Sequence, residues 1–258
     1  MTTPRTIALA GTEVARIGLG TNQLRNTPEH VAFVEQAVGA GLTHIDTAHL
    51  YTGGESEQAV GAALSAGSEG CVVATKGGFR PGEGRPEVIR AQIQQSLRSL
   101  GVESIALYYL HRVDSETPLE DSLAAIKEYV DAGKIRHVGL SEVDVEQIER
   151  ARKVVPITAV QNQFNLSERR REEVVDHCAR EGIVFVPFTP LKGDGGSRLA
   201  EIAEQRGATP SQITLAWLLR RSPAMLPIPG TLSLDHLKEN LAALEIELSD
   251  AEFEALQG

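Results

Sequence analysis

The chain has 258 residues, of which 41% are hydrophobic and 23% are charged, a composition typical of soluble globular proteins. Its formal net charge of −10 argues against nucleic acid as a partner, because phosphate binding needs clustered lysine and arginine. No apolar run reaches the roughly 18 residues of a membrane span, and the first residues lack the apolar region of a secretory signal. We therefore expect a cytoplasmic protein that does not enter a membrane.

Eight short β-branched runs alternate with segments of helical apolar spacing. These strand candidates are 14–20, 44–48, 71–77, 106–112, 135–141, 157–164, 183–190 and 225–230. Such alternation predicts a parallel sheet with right-handed crossovers. An open doubly wound sheet is the competing architecture, but it usually carries a GxGxxG loop after its first strand, and this chain has GTNQLR there. Eight strands in a chain of about 250 residues favour the α/β class and a closed (β/α)8 TIM barrel.

The flanks of these elements refine the prediction. Residues 6–20, TIALAGTEVARIGLG, predict an N-terminal β-hairpin whose second half enters the barrel, where the hairpin would plug the floor. Thr117, Thr209 and Ser249 are each followed three residues later by Glu or Gln, which predicts helix N-caps. No linker rich in proline, glycine or serine divides the chain, so we expect residues 1–258 to form a single domain.

Titratable residues stand at the ends of three consecutive predicted strands. In a (β/α)8 barrel the active site lies at these C-terminal ends. The second strand ends in Asp46, with Tyr51 five residues later, the third in Lys76 and the fourth in His111. Each residue alone has an ordinary structural explanation, although a lysine beside a core costs desolvation unless a carboxylate pairs with it. Their conjunction predicts one catalytic group.

The chemistry of that group follows from the residue types. A carbonyl that accepts a hydride becomes an alkoxide and needs a proton. Tyrosine is a weak acid with an ordinary pKa of about 10, and a neighbouring cation stabilises its phenolate. We therefore expect Tyr51 to donate the proton and Lys76 to supply the cation. Asp46 would hold that cation charged, and His111 would orient the substrate oxygen.

Several motifs resemble the signatures of the aldo-keto reductases, in the same order, from about residue 5 to the C-terminus. They are HIDTAHLY (44–51), ATKGG (74–78), YYLHR (108–112), GKIRHVGLSE (133–142), VQNQFNLSER (160–169) and IPGTLSLDHLKENLAAL (228–244). The resemblance implies a barrel that reduces a small-molecule carbonyl with an extended nicotinamide cofactor and no Rossmann loop. The family's Asp-Tyr-Lys-His tetrad falls on Asp46, Tyr51, Lys76 and His111.

The resemblance also implies a set of cofactor contacts. Ser141 and Gln161 would hold the nicotinamide carboxamide, Phe188 would stack on its ring, and the backbone near Thr189 and Leu191 would touch the pyrophosphate. The full set is Thr21, Ser141, Gln161, Phe188, Thr189, Leu191, Gly230, Thr231, His236, Glu239 and Asn240.

Three positions depart from the family pattern. Glu142 stands where many members have Asn, and Gly230 and His236 stand where many NADPH-specific members have Lys and Arg. A 2′-phosphate prefers such cations. We expect NADPH as the cofactor, with NADH as the alternative.

Two other functions are compatible with parts of the sequence. A redox-sensing or regulatory subunit would bind the cofactor with little turnover. An aldolase would use Lys76 as a Schiff base, but such a lysine needs a depressed pKa, and Asp46 acts in the opposite direction. His44 and His49 flank Asp46 without the spacing of a zinc site, so no metal is expected. A monomer is the expected oligomeric state.

Overall fold

Seven parallel strands follow one another in chain order around a single sheet. The computed structural model describes residues 3–64, 70–193 and 196–257. Each strand is hydrogen-bonded to the next one along the chain. The strands are β3 (Leu19–Gly20), β4 (His44–Asp46), β5 (Val72–Gly77), β6 (Ile105–Leu110), β7 (Ile135–Ser141), β8 (Ile157–Gln161) and β9 (Val184–Phe185).

Helices connect these strands and surround the sheet. They are α1 (Pro28–Gly39), α2 (Glu55–Leu64), α3 (Pro86–Leu100), α4 (Leu119–Asp131), α5 (Val145–Arg152), α6 (Glu172–Glu181), α7 (Gly196–Arg206), α8 (Pro210–Arg221), α9 (Leu234–Ala242) and α10 (Asp250–Ala255). Short 3-10 turns cover Tyr51–Gly54 and Ala243–Glu245. None of the helices in the described residues is both long enough and apolar enough to cross a membrane.

The segment 224–230 occupies the position of the eighth predicted strand. On one side the Leu226 N–H donates to the Phe185 carbonyl at 2.9 Å. On the other side the Gly18 and Gly20 N–H groups donate to Pro227 and Pro229. The two prolines have no N–H to donate, so the segment forms isolated bridges instead of a regular strand. The predicted (β/α)8 barrel is confirmed, and the regular strand predicted at 225–230 is not formed.

The N-terminal hairpin consists of β1 (Thr6–Leu9) and β2 (Thr12–Ala15), which pair antiparallel. Its Leu9 and Val14 side chains are fully buried and join the apolar cluster inside the barrel. The hairpin therefore covers the barrel floor, as predicted. The prediction of one strand over 14–20 was wrong, because the chain leaves the hairpin at Arg16, whose side chain turns to backbone carbonyls such as that of Met225.

Two of the three predicted helix caps are formed. Thr209 and Ser249 each make a complete capping box with the residue three positions later. The cap predicted at Thr117 was wrong, because α4 begins after Pro118 and the Thr117 hydroxyl donates to Asp114 at 3.0 Å instead.

Candidate active site

The C-terminal ends of β4, β5 and β6 bring the four predicted catalytic residues together. The Lys76 ammonium donates to Asp46 Oδ1 at 2.6 Å, to the Thr47 carbonyl at 2.8 Å and to the Tyr51 hydroxyl at 3.1 Å. The Lys76 and Asp46 side chains are 0% and 2% exposed, so this ion pair is shielded from water. Within the barrel mouth, this ion pair contacts the Tyr51 hydroxyl through the Lys76 ammonium.

Lys76 stays charged in spite of its burial. Removal from water would lower the pKa of Lys76, but the Asp46 carboxylate and the Tyr51 hydroxyl outweigh that effect, and the net pKa lies above its ordinary value. The ammonium also lies 4.7 Å from the centroid of the Tyr51 ring. A fixed positive charge therefore contacts the phenol at its oxygen.

Hydrogen bonds hold both the carboxylate and the backbone carbonyl of Asp46. Its second carboxylate oxygen accepts a hydrogen bond at 2.8 Å from Nε2 of Gln161, the last residue of β8. Its backbone carbonyl accepts from the Thr21 hydroxyl at 2.9 Å, and Thr21 in turn lies 2.9 Å from Ser56 Oγ. Since both carboxylate oxygens have donors, the buried charge is satisfied and its position is fixed.

His111 is a neutral imidazole at the edge of the same cavity. Burial, with the positive charges of Lys76 and Arg112, lowers the pKa of His111 to about 2. The imidazole meets the Tyr51 ring edge-on at 6.0 Å between centroids and lies 4.8 Å from the Phe79 ring. Its Nδ1 is buried and has no partner among the described residues. A neutral imidazole carries one N–H, which can be donated to a substrate oxygen.

A cavity of about 350 Å³ opens above these groups. Its lining includes Asp46, Tyr51 and His111, while Lys76 lies buried beneath them. Most of the predicted cofactor contacts also line it: Thr21, Ser141, Gln161, Phe188, Thr189 and Gly230. Predicted acid–base residues and predicted nucleotide contacts therefore share one space.

A second cavity of about 60 Å³ shares Gly20, Thr21 and Gly230 with the first and reaches Thr231. The groove thus continues from the barrel mouth toward the start of α9.

Four predicted cofactor contacts lie outside both linings: Leu191, His236, Glu239 and Asn240. His236 is exposed on α9, whereas Asn240 is buried. The Glu239 carboxylate accepts from the Thr209 hydroxyl at 2.6 Å and so ties α9 to α8.

The sequence pattern did not single out two residues of the cavity wall, Arg112 and Phe79. Arg112 Nη1 donates to Ser141 Oγ at 3.0 Å, and the guanidinium carbon lies 5.2 Å from the centre of the Phe79 ring. Arg112 directly follows His111 at the end of a strand, and that position was the available signal. Phe79 lies in a loop, where no periodicity assigns a direction to a side chain.

Glu142 adopts a left-handed backbone conformation, with φ of 56°, immediately after β7. Its carboxylate accepts from the Gln163 backbone N–H at 2.7 Å, and its own N–H donates to the Gln161 carbonyl. Glu142 therefore holds the loops that follow β7 and β8 together.

The sequence matches the model of the aldo/keto reductase family over residues 16–197 and 194–258. The chain belongs to the aldo/keto reductase family. Pyridoxine 4-dehydrogenase of Escherichia coli is 35% identical over 278 aligned positions, covering 98% of this chain and 97% of the relative.

Solved structures of aldo-keto reductases share the fold. The thermostable enzyme Tm1743, crystallised with epalrestat, superimposes with a TM-score of 0.90 at 33% identity, covering 98% of both chains. An aldo-keto reductase of Klebsiella pneumoniae in complex with NADPH has a TM-score of 0.89 at 29% identity, with 99% of this chain and 94% of that chain covered. This aldo-keto reductase is therefore an oxidoreductase of a family that reduces carbonyl groups.

Proposed function

We propose that this aldo-keto reductase reduces an aldehyde or ketone to an alcohol, with hydride from NADPH and the proton from Tyr51. One observation carries the proposal: the Tyr51 hydroxyl, on the wall of an open cavity, accepts a hydrogen bond from a fully buried ammonium at 3.1 Å. The same ammonium is paired with Asp46 at 2.6 Å. This arrangement suits delivery of a phenolic proton to an oxygen in the cavity.

Each residue has a defined part in that proposal. The reduced nicotinamide supplies the hydride when it is bound. The Lys76 ammonium stabilises the negative charge that forms on the Tyr51 oxygen as its proton leaves. The neutral imidazole of His111 donates its N–H to the carbonyl oxygen and aims it at the Tyr51 hydroxyl. Asp46 and Gln161 keep the ammonium in position throughout.

The groove offers groups that fit a nicotinamide nucleotide. The Ser141 hydroxyl accepts from Arg112 and keeps its own proton, which it can donate to a carboxamide oxygen. The Phe188 ring lies on the same wall as Ser141. At the far end, α9 starts after its N-cap Ser233, where backbone N–H groups favour a phosphate.

The nucleotide preference is part of the proposal. NADPH is bound by the related enzyme of Klebsiella pneumoniae. Gly230 supplies no cation and His236 is exposed, so recognition of a 2′-phosphate would rest on Thr231, the α9 N-terminus and His236. NADH is the alternative. Oxidation of NADPH and NADH, followed side by side at 340 nm with 4-nitrobenzaldehyde, separates the two.

Replacement of Tyr51 by Phe tests the mechanism. We expect Tyr51→Phe to lower kcat by roughly 10²- to 10⁴-fold, the usual contribution of a general acid, while the Kd for NADPH measured by fluorescence stays within twofold. Tyr129→Phe is the matched control, because the Tyr129 hydroxyl accepts a hydrogen bond from Gln94 Nε2 at 3.0 Å on the helical exterior. Retained turnover in Tyr51→Phe would remove Tyr51 from the role of proton donor.

The wild-type assay also separates the other function. Tight nucleotide binding without oxidation, across aromatic aldehydes and pyridoxal, would favour a cofactor-binding regulatory subunit. Pyridoxal belongs in that panel because the relative from Escherichia coli is a pyridoxine 4-dehydrogenase.

A further inference from the structure

The guanidinium of Arg112 has unused hydrogen-bonding capacity beside the proposed reaction centre. Arg112 Nη1 donates to its neighbour's carbonyl, that of His111, at 2.7 Å and to Ser141 Oγ at 3.0 Å. These two bonds account for one of the three guanidinium nitrogens. Within residues 3–64, 70–193 and 196–257, no partner is found for Nε or Nη2, and no carboxylate oxygen lies within 4 Å of the group.

Aromatic rings hold this cation in place. The guanidinium carbon lies 5.2 Å from the centre of the Phe79 ring and 5.9 Å from that of Phe188. Such contacts fix the planar group without consuming its N–H donors. The Phe79 ring also contacts His111, at 4.8 Å between centroids. One ring therefore touches both the cation and the imidazole that faces the substrate.

Among the described residues, Glu142 is the carboxylate that acts electrostatically on Arg112, and it does not pair with it directly. Glu142 favours the charged form of Arg112 electrostatically, but its carboxylate accepts the Gln163 backbone N–H at 2.7 Å. Burial lowers the pKa of Arg112. A guanidinium nevertheless keeps its proton in proteins. A half-buried, charged guanidinium, with two nitrogens that have no partner in the described part of the chain, is thus left on the cavity wall.

We propose that Arg112 binds the carboxylate of an oxo-acid substrate whose carbonyl oxygen is held by Tyr51 and His111. This inference rests on the proposed reductase function and names its substrate class. Guanidinium and carboxylate are planar and match in a two-bond arrangement, which neutral aldehydes cannot make. The net charge of −10 repels anions from the molecule as a whole, so the preference must arise from this local cation.

Matched pairs of substrates test the proposal. For the wild type, kcat/KM is measured with NADPH for 3- and 4-carboxybenzaldehyde and for their methyl esters. Each acid and its ester present the same formyl ring, with and without the charge. We expect at least one acid to be preferred over its ester, and Arg112→Met to lower that acid-to-ester ratio about tenfold or more, chiefly through KM. Arg112→Lys, which keeps the charge but not the fork, should restore part of the ratio.

Arg180→Met is the matched control, since it removes the same charge from an exposed position on α6 and should leave the ratio unchanged. An equal acid-to-ester ratio in wild type and Arg112→Met would overturn the proposal. Turnover of the esters without any preference for acids would overturn it while the proposed reductase function stands.

A binding experiment covers the case in which no aldehyde is reduced. Calorimetric titration with benzoate and with benzamide, in the presence of NADP⁺, compares wild type with Arg112→Met. Benzoate binding that weakens about tenfold in the variant, against unaltered benzamide binding, supports the carboxylate site. Equal benzoate affinity in both proteins would overturn it. The Kd for NADP⁺ of each protein is measured as well, because Arg112 also contacts Ser141.

Discussion

At the scale of single residues, the most consequential feature is the buried pair of Asp46 and Lys76. Both side chains are almost completely removed from water, and the carboxylate has a donor on each oxygen. Such a pair adds little net stability relative to apolar side chains, but loss of one partner leaves an uncompensated charge in the interior. The pair therefore fixes the position of the Lys76 ammonium more than it stabilises the folded protein.

A double-variant cycle tests this reasoning. We expect Asp46→Leu to lower the free energy of unfolding by about 3–5 kcal/mol, because the Lys76 ammonium is left buried without its partner. Adding Lys76→Met to the same chain should recover a substantial part of that loss, since no charge remains. Urea unfolding followed by circular dichroism measures Asp46→Leu, Lys76→Met and the double variant. Losses that simply add up would contradict the assignment of the cost to an unpaired charge.

His111 provides a prediction about pH. Its pKa is lowered to about 2, chiefly by burial, whereas an unfolded histidine titrates near about 6.5. The unfolded state therefore gains a proton first, and this contribution lowers the free energy of unfolding as pH falls below about 6.5. We expect the His111 imidazole to stay neutral from pH 8 to pH 5.

Nitrogen NMR of the imidazole measures the charge of His111, with His111→Gln used to assign its signals. The stability difference, wild type minus His111→Gln, should also fall between pH 8 and pH 4. A protonated His111 at pH 5 would contradict the neutral donor proposed for the reaction.

At the scale of elements, one carboxylate joins the loops that follow β5 and β6. Asp114 Oδ1 accepts from the Gly82 and Glu116 N–H groups, each at 3.1 Å. Its Oδ2 accepts from the Gly84 N–H and the Thr117 hydroxyl, each at 3.0 Å. Since Phe79 and His111 belong to these two loops, Asp114 helps to fix the wall of the cavity. Burial opposes the charge of Asp114, but the four donors outweigh it and lower its pKa.

We expect Asp114→Asn to lower the free energy of unfolding at pH 7 by about 1–2 kcal/mol, because an amide cannot accept all four bonds. Asp131→Asn, which affects an exposed pair with Lys127, is the control and should cost less than about 1 kcal/mol. The stabilisation by a carboxylate with a lowered pKa is present above its unfolded value and is lost as pH falls through the folded one. Thermal unfolding at pH 7 and pH 3 should therefore show a smaller deficit for Asp114→Asn at pH 3. An equal deficit at both values would argue against a role for the charge.

The strand bounds also show how much of the fold can be predicted from the sequence. The third predicted strand, 71–77, differs from the observed Val72–Gly77 by one residue, because its β-branched residues favour a strand and no proline removes a ladder donor. The last two predicted strands, 183–190 and 225–230, are a two-residue strand and a set of bridges. Prolines in both segments remove ladder donors, and the apolar pattern does not register that loss.

In the candidate site, residues at strand ends can be predicted from the sequence, whereas contacts between distant segments cannot. Asp46, Lys76 and His111 were found because each ends an apolar run, a property of the sequence alone. The contacts of Arg112 with Ser141 and Phe79 join the end of β7 to the loops that follow β6 and β5, and no local pattern reports such distances. The Asp46–Gln161 bond likewise joins residues 115 positions apart.

At the scale of the whole molecule, Arg16 joins the first and last parts of the barrel through hydrogen bonds. The fully buried guanidinium donates to the carbonyls of Pro4 and Leu219, each at 3.0 Å, and to that of Met225 at 3.1 Å, as well as to Ser222. Burial lowers the pKa of Arg16 to about 10, so the group is still charged at neutral pH. The hairpin, the end of α8 and the closing segment 224–230 thus meet at one side chain.

We expect Arg16→Met to lower the free energy of unfolding by about 3 kcal/mol, because several buried carbonyls lose their donor at once. Arg5→Met is the matched control; Arg5 pairs with Glu245 at the surface and should contribute less than about 1 kcal/mol. Guanidinium chloride unfolding of both variants gives the comparison. A cost for Arg16→Met no larger than that of the control would show that the barrel closes without this cation.

The bond between Asp46 and Gln161 has a consequence for how such proteins diversify. The four proposed acid–base residues are encoded within positions 46–111, whereas all of the predicted cofactor contacts except Thr21 are encoded after Arg112. Gln161 reaches back from the second half to hold the first. Recombination between related genes in the connection before β7 would exchange the nucleotide groove and keep the proton-delivering group intact, provided that the incoming half carries a donor at this position. Gln161 is then one compatibility requirement between two separately inherited halves, beside the contacts that Arg16 and Arg112 of the first half make with the second.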